Sequence, residues 1–237
     1  MLRPSNRKIN ELRKITIETN INKYAEGSCL ISCGDTKVIC TATLDEKVPP
    51  FLRGTGTGWV TAEYNMLPRS TEQRVQRDRE KPNSRSIELQ RIVGRSLRSS
   101  INLSLLGERQ IIVDCDVIQA DGGTRCASIT GGFVALYLAI QNLIKQRKLK
   151  VNPIEHFVAA VSCGIYKNVC VVDFDYEEDS NSECDLNFVI NEENKIIEIQ
   201  GTAEKTPFSF ERLNEMSALA SNATKEIIKI QKDACNL

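Results

Sequence analysis

The chain is poor in histidine, on which much metal and nucleophile chemistry draws. One histidine, His156, stands in 237 residues. It is the one histidine available to complete a zinc site, and its being alone makes a histidine-activated nucleophile an unfavourable reading. His156 borders an apolar strand-like run in "NPIEHFVAAV", so a packed structural role is expected for it. The nine cysteines are scattered from Cys29 to Cys235 without a C-x-x-C pair. An odd, dispersed set argues against a disulfide framework and against structural zinc, and for buried thiols in a reducing cytoplasm. Long apolar runs are missing as well. The longest, "FVALYLAI" (Phe133–Ile140), is too short to cross a bilayer, and "MLRPSNRKINELRK" lacks the apolar stretch of a secretory leader. No membrane partner is expected. The glycines of "RGTGTGW" are followed by neither GK[ST] nor a helix, which excludes a Walker loop and a dinucleotide fingerprint.

Net charge is also absent, with 31 basic residues against 31 acidic ones, but the charges are unevenly mixed. Residues 69–98 carry eight arginines and Lys81 against four acids, an excess of five positive charges. Residues 173–185 hold seven acidic side chains in thirteen positions and no basic one. A basic strip and an acidic cluster in a neutral chain suggest a polyanion partner and a cation site. Solvated surface remains the alternative for either one alone.

Residues 14–65 read as strands and turns. "CLISCGDTKVICTATL" alternates and is rich in β-branched residues, with a hairpin turn at Gly34-Asp35. "STEQRVQRDREKPNSR" lacks apolar periodicity and reads as an exposed basic loop. From Ser86 to about Ser100 the pattern predicts a helix with Ile87, Leu89, Ile92, Val93 and Leu97 in its apolar stripe. Glu88 would sit in its first turn, and Arg91, Arg95 and Arg98 would share a face. "RQIIVDCDVIQA" reads as a strand with Val113, Cys115 and Val117 opposite Asp114 and Asp116. "CASITGGFVALYLAIQNLIKQRK" is apolar almost all round, as a buried helix is. Four strand-like runs follow ("HFVAAVSCGIY", "NVCVVDFDY", "CDLNFVI", "KIIEIQGTA"), and an amphipathic helix from "SFERLNEM" closes the chain. Two rounds of similar order with no low-complexity linker predict one α/β (α+β) domain over residues 1–237, with an internally doubled layout.

Two stretches carry chemistry. "QADGGTR" (Gln119–Arg125) lies between the strand and the buried helix. A glycine pair costs conformational entropy, and the helix needs partners for its first N–H groups. An anion held by bare amides, a hydroxyl and a guanidinium answers both needs, and a plain tight turn is the alternative. In "DFDYEEDSNSECD", Asp179 and Asp185 are six apart, so neither a helix nor a straight strand lets them share an ion. A turn at "SNSE" would bring them together as oxygen ligands suited to Mg²⁺ or Mn²⁺. A solvated hairpin tip is the alternative.

Taken in order, "MLRPSNRKINELR", "GWVTAEYNMLPRST", "RSIELQRIVGRSLR", "DCDVIQADGGTRCASITG", "DYEEDSNSECDLN" and "EIQGTAEKTPFS" resemble successive motifs of bacterial ribonuclease PH over nearly the whole chain. The resemblance implies that family's fold, an internally doubled βαβ layout with mixed sheets packed on helices. It also implies a phosphate-dependent 3′→5′ exoribonuclease that trims tRNA precursors and other RNA 3′ ends. Such an enzyme releases nucleoside diphosphates with orthophosphate as co-substrate, and its reverse reaction adds nucleotides. By the same resemblance, Arg85, Gly123, Thr124 and Arg125 bind phosphate. Asp179 and Asp185 hold the metal, Arg85 and Arg125 join them in catalysis, and Arg69, Arg74 and Arg77 contact tRNA. A homo-oligomer, a hexameric ring built as a trimer of dimers, is implied too. Three positions depart from the family's usual pattern: Ser84 and Asn65 stand where glycine is usual, and Cys126 where threonine is common. Both Ser84 and Asn65 tolerate turns, so activity is expected to survive.

Overall fold

The computed structural model describes residues 3–76 and 84–237. Five strands form the first sheet: β1 (Ile15–Thr19), β2 (Gly27–Cys33), β3 (Thr36–Asp45), β4 (Trp59–Met66) and β5 (Gln110–Gln119), in the order β1-β2-β3-β5-β4. The β2–β3 hairpin turns on Gly34 and Asp35 as the sequence predicts, with Gly34 in the left-handed region at φ +58°. Burial alternates along β5, with Val113, Cys115 and Val117 inward. Strands β4 and β5 run parallel. A parallel pair needs a crossover connection, supplied here by α1 (Ser84–Arg98) and the short α2 (Leu103–Leu106).

After β5 the chain enters α3 (Thr124–Lys145) and begins its second round. Strands β6 (Val158–Tyr166) and β7 (Val169–Val172) come first. They are followed by α4 (Tyr176–Asn181), β8 (Cys184–Asn191), β9 (Ile196–Ala203) and α5 (Phe210–Ala234). The second sheet is antiparallel throughout, in the order β7-β6-β8-β9. Helix α3 packs on β2, β3 and β5 and also on β6, while α5 packs on β6, β7 and β8 and reaches β1. The helices therefore form a layer between two sheets, the mixed α/β arrangement expected from the two rounds. Helix α3 has the length and apolarity of a membrane span, yet most of its surface is buried inside the protein. One contiguous core joins both rounds, with Phe133, Leu136 and Ile140 of α3 at its centre and Val158 and Phe188 beyond.

All nine cysteines are free thiols and eight are buried. Burial pushes the Cys33 thiol up to about 12, so it packs as a small neutral side chain.

Several local expectations need correction. Helix α1 starts at Ser84, so Arg85 lies in its first turn and Glu88 a turn further in. Ile87 is exposed, because the stripe that meets β4 and α3 is Leu89, Ile92, Val93 and Leu97. His156 is not packed in the core: it is partly exposed, with its Nδ1 3.8 Å from Glu193 Oε1. The acidic stretch is not a hairpin tip. Its centre is α4, closed at its start by a capping box in which Asp175 accepts from Glu178 N and Glu178 accepts from Asp175 N.

Candidate active site

The loop from β5 into α3 is built by its neighbours. Ala120 N donates to Ser70 O (2.8 Å), and Asp121 N donates to the Thr36 hydroxyl (2.9 Å). That hydroxyl in turn donates to Gly122 O (2.6 Å). Gly122 and Gly123 sit at φ +71° and +65°, where a side chain is strained. A Cβ on Gly122 would lie 2.7 Å from Phe174 O and 2.8 Å from the Asp175 carbonyl carbon. The loop thus rests directly on the backbone that leads into α4. Gly123 is the N-cap of α3 and offers no side chain to its first-turn amides. The positive end of a 22-residue helix is left for an external acceptor. Next to it, the Thr124 hydroxyl is 3.0 Å from the hydroxyl of buried Tyr64.

The loop residues Ala120–Thr124 line a cleft of about 610 Å³ together with Arg85, Tyr176 and Asp179. Thr71, Glu72, Gln73 and Val75 line it as well. Arg125, one residue into α3, donates from Nη1 to Gln200 Oε1 of β9, and Gln200 Nε2 donates to Glu88. The Arg125 Nε is buried without a partner among the described residues. An unpaired buried guanidinium N–H is costly, and an anion ligand would relieve it.

The two aspartates flank a turn, and the charge of Asp179 acts on Asp185. Asp179 lies in the last turn of α4, Ser182 N bonds back to Asp179 O, and Asp185 follows on β8. Burial pushes the Asp179 carboxyl up, while the charges of Arg85 and Arg125 pull it down. Asp185 is pushed up to about 6, by burial first and by the Asp179 charge second, against the pull of Arg125 and a hydrogen bond from Asn187. Arg85, Arg125, Asp179 and Asp185 therefore form one electrostatic group drawn from α1, α3, α4 and β8.

Most of the acidic cluster is spent on structure. Asp173, at φ +56°, is buried and bonded by Arg13. Arg3 pairs with fully buried Glu178, and Arg7 contacts Asp173, Asp175 and Glu178. Asp173 is thus committed to Arg13, and Asp175 serves as a helix cap. Asp179 is the acidic side chain of this cluster that lines the cleft.

The proposed RNA-contacting arginines are less fully placed. Arg69 and Arg74 are exposed near Thr71, Glu72, Gln73 and Val75, which line the cleft, and Arg77 lies outside the described residues. The basic strip is also divided in use. Arg95 pairs with Glu198 at 2.6 Å, and Arg98 donates to Val60 O and stacks 4.4 Å from the Trp59 ring. The departures are accommodated: Asn65 is inside β4, opposite Asp116, and Ser84 opens α1. Cys126 donates its S–H to Asn187 Oδ1 (3.2 Å), and Asn187 Nδ2 donates to Asp185 Oδ2 (3.3 Å). Sequence reasoning assigned no role to Arg13, Thr36, Tyr64, Asn187 or Gln200. Arg13, Tyr64, Asn187 and Gln200 lay inside motifs of the family resemblance, which was the available signal, and Thr36 lay outside them.

The donor set bears on a cation. Among the described residues no group of three or more His, Cys, Asp or Glu could hold a metal. The available pair is Asp179 and Asp185, two carboxylates poorly solvated and mutually repulsive. Such a pair fits a hard divalent ion that takes one or two carboxylates and completes its shell with water and substrate phosphate.

Comparison with known proteins agrees with this architecture. Residues 11–140 match the model of the 3′ exoribonuclease family, domain 1, and residues 156–232 match domain 2 of that family. The chain is 52% identical to a ribonuclease PH of Methylobacterium radiotolerans over 235 residues, 98% of this chain and 99% of that protein. It is equally similar to a ribonuclease PH of Methylobacterium sp. strain 4-46, with the same coverage. Among solved structures it superposes on the Archaeoglobus fulgidus exosome with RNA bound to the active site. The TM-score is 0.81 at 22% identity, over 96% of this chain and 91% of that one. An archaeal exosome core superposes with a TM-score of 0.77 at 22% identity, covering 97% and 91%. At that identity the structures speak for the fold.

Proposed function

The chain belongs to the ribonuclease PH family of 3′ exoribonucleases, and from that premise we propose how its cleft works and on what. The enzyme is a phosphorolytic 3′→5′ exoribonuclease, with orthophosphate as co-substrate and a reverse reaction that extends RNA 3′ ends. Its substrates are tRNA precursors and other RNA 3′ ends. One observation carries the reading: Arg85, the uncapped Gly123–Thr124 start of α3 and Asp179 line the same cleft, with Arg125 and Asp185 in electrostatic contact.

Orthophosphate must approach a phosphodiester although both are anionic. The guanidiniums of Arg85 and Arg125, the first amides of α3 and the Thr124 hydroxyl offset that repulsion and turn an oxygen toward the scissile phosphorus. The unpaired Nε of Arg125 is a donor available for this task. Attack displaces the 3′-oxygen of the penultimate nucleotide, so the terminal nucleotide leaves as a nucleoside diphosphate and no enzyme-bound covalent intermediate forms. Asp179 and Asp185 would hold Mg²⁺ or Mn²⁺, which when bound supplies charge stabilisation for the scissile phosphate and the departing oxygen. Arg69, Arg74 and Arg77 hold the tRNA body through its phosphates, a contact that carries no sequence information.

The two rounds act as one catalytic domain, since a single core and the shared helix α3 join them. Copies assemble into a homo-hexameric ring, a trimer of dimers. Exposed apolar side chains such as Tyr24, Phe51 and Phe210 would gain from burial between copies. The setting is the cytoplasm, consistent with nine free thiols. The test is product analysis on a tRNA carrying extra 3′ nucleotides, with Mg²⁺, with and without orthophosphate. Nucleoside diphosphates that appear only with phosphate are expected. Monophosphates released regardless of phosphate would make the enzyme hydrolytic and refute the reading.

A further inference from the structure

The N-terminal segment reaches the active site from behind, through a contact that the mechanism above does not use. Arg13 is almost fully buried and grips two site limbs at once. Toward α4, its backbone N–H donates to Asp173 Oδ2 (2.7 Å), Nη2 donates to Oδ1 (2.7 Å), and Nε lies 3.1 Å from Oδ2. Toward the anion loop, Nη1 donates to Asp121 O and, at 3.4 Å, to Gly122 O. Space for this side chain is kept clear on both flanks. A Cβ on Gly34 would meet Arg13 Cδ at 2.7 Å, and one on Gly123 would meet Nη2 at 2.9 Å. Asp173 presents its carboxylate from a left-handed backbone conformation, which is strained for a non-glycine residue. Its main-chain oxygen is taken by Arg3 (3.0 Å) and Arg7 (2.9 Å). A second clamp, the Thr36 hydroxyl, holds the loop from the other side through Asp121 N and Gly122 O.

We propose that Arg13, backed by Asp173 and seconded by Thr36, is a positioning residue that fixes the Gly122–Gly123 loop against the base of α4 and thereby sets orthophosphate binding. A planar fork with five donors can hold a carboxylate on one edge and two carbonyls on another, which a lysine ammonium cannot. The buried pair alone would be a fold element. The bonds to loop carbonyls make it a spacer between the group that binds phosphate and the helix that carries Asp179. This rests on the loop being the cradle of orthophosphate.

The test uses full-length enzyme and a short oligonucleotide, with phosphate and RNA varied independently. Arg13→Lys keeps the charge beside Asp173 and removes the strut to the loop. Thr36→Val keeps the shape and removes the second clamp. In each, KM for phosphate is expected to rise at least tenfold while KM for RNA stays within twofold and the protein remains folded. The inference is overturned if KM for phosphate moves less than twofold in a folded variant, or if both KM values rise together. If Arg13→Lys does not fold, Thr36→Val decides by the same criteria. Wild-type turnover that does not saturate with phosphate would instead refute the phosphate-cradle reading and the inference with it.

Discussion

Replacing Gly122 by alanine is the sharpest perturbation of this site, and Gly123→Ala is its built-in control. Both glycines are left-handed, so each substitution strains the backbone by about 1–2 kcal/mol. They differ in what the new methyl meets. At Gly123 it meets the end of the Arg13 side chain at 2.9 Å, so the guanidinium must shift on Asp173, which a side-chain end does at less cost than backbone. At Gly122 it meets the backbone of Phe174 and Asp175 at 2.7 and 2.8 Å, against an ordinary separation of about 3.5–4.0 Å. Loop and helix base must therefore part by about 1 Å, and a displacement of that size in a positioned reaction costs on the order of 10²-fold. The expected result is a kcat/KM for Gly122→Ala at least tenfold below that of Gly123→Ala, measured by phosphorolysis of a short oligonucleotide. Its melting temperature should also be lower, at about 2–4 °C for each additional 1 kcal/mol lost in a chain of this size. Equal activity and equal melting in the two variants would mean that the loop does not lean on the approach to α4, and the spacing argument would fall.

Other expectations are more direct. Arg125→Ala and Asp185→Asn should each remove most phosphorolysis, by roughly 10²-fold or more, while circular dichroism shows an unchanged fold; near-normal turnover in either would dismiss that residue's role. Arg69, Arg74 and Arg77 changed together to alanine should weaken tRNA binding more than turnover of a short oligonucleotide, and equal losses on both would count against a contact outside the cleft. Acid stability should report Asp173. Burial pushes its carboxyl up, but the charge and hydrogen bonds of Arg13, with Arg7, outweigh that and hold it below the usual range. A depressed carboxylate stabilises the fold above the unfolded value of about 3.9, and that contribution fades as pH falls below it. The urea midpoint should therefore drop below about pH 4 in wild type and less steeply in Asp173→Asn; identical slopes would refute the assignment.

Local signals in the sequence were enough for most of the longer elements and for the order of the site motifs. Period-2 alternation in "RQIIVDCDVIQA", the Gly34-Asp35 turn and the all-round apolarity of "FVALYLAI" each depend on neighbours within a few residues, and each predicted its element. The anion loop was legible because two glycines before a buried helix are unusual locally. Errors arose where the deciding contact lies far along the chain. The acidic stretch read as a possible hairpin tip and is a helix, since Arg3 and Arg7 neutralise Glu178 from more than 170 residues away. The basic strip read as one surface, yet Arg95 and Arg98 are engaged by Glu198 of β9 and by Trp59 and Val60 of β4.

By itself, the sequence determined which chemistry was present: two guanidiniums, a helix start without a cap, two carboxylates six residues apart, and the family whose motifs they form. Tertiary structure alone decided which of these groups share a cleft and what their surroundings do to them. Asp185 is pushed up to about 6 because the fold buries it beside Asp179, and Asp173 is held down because the fold delivers Arg13 to it. A residue type is a local property of the chain, whereas burial and the distance between charges exist only once remote segments have packed.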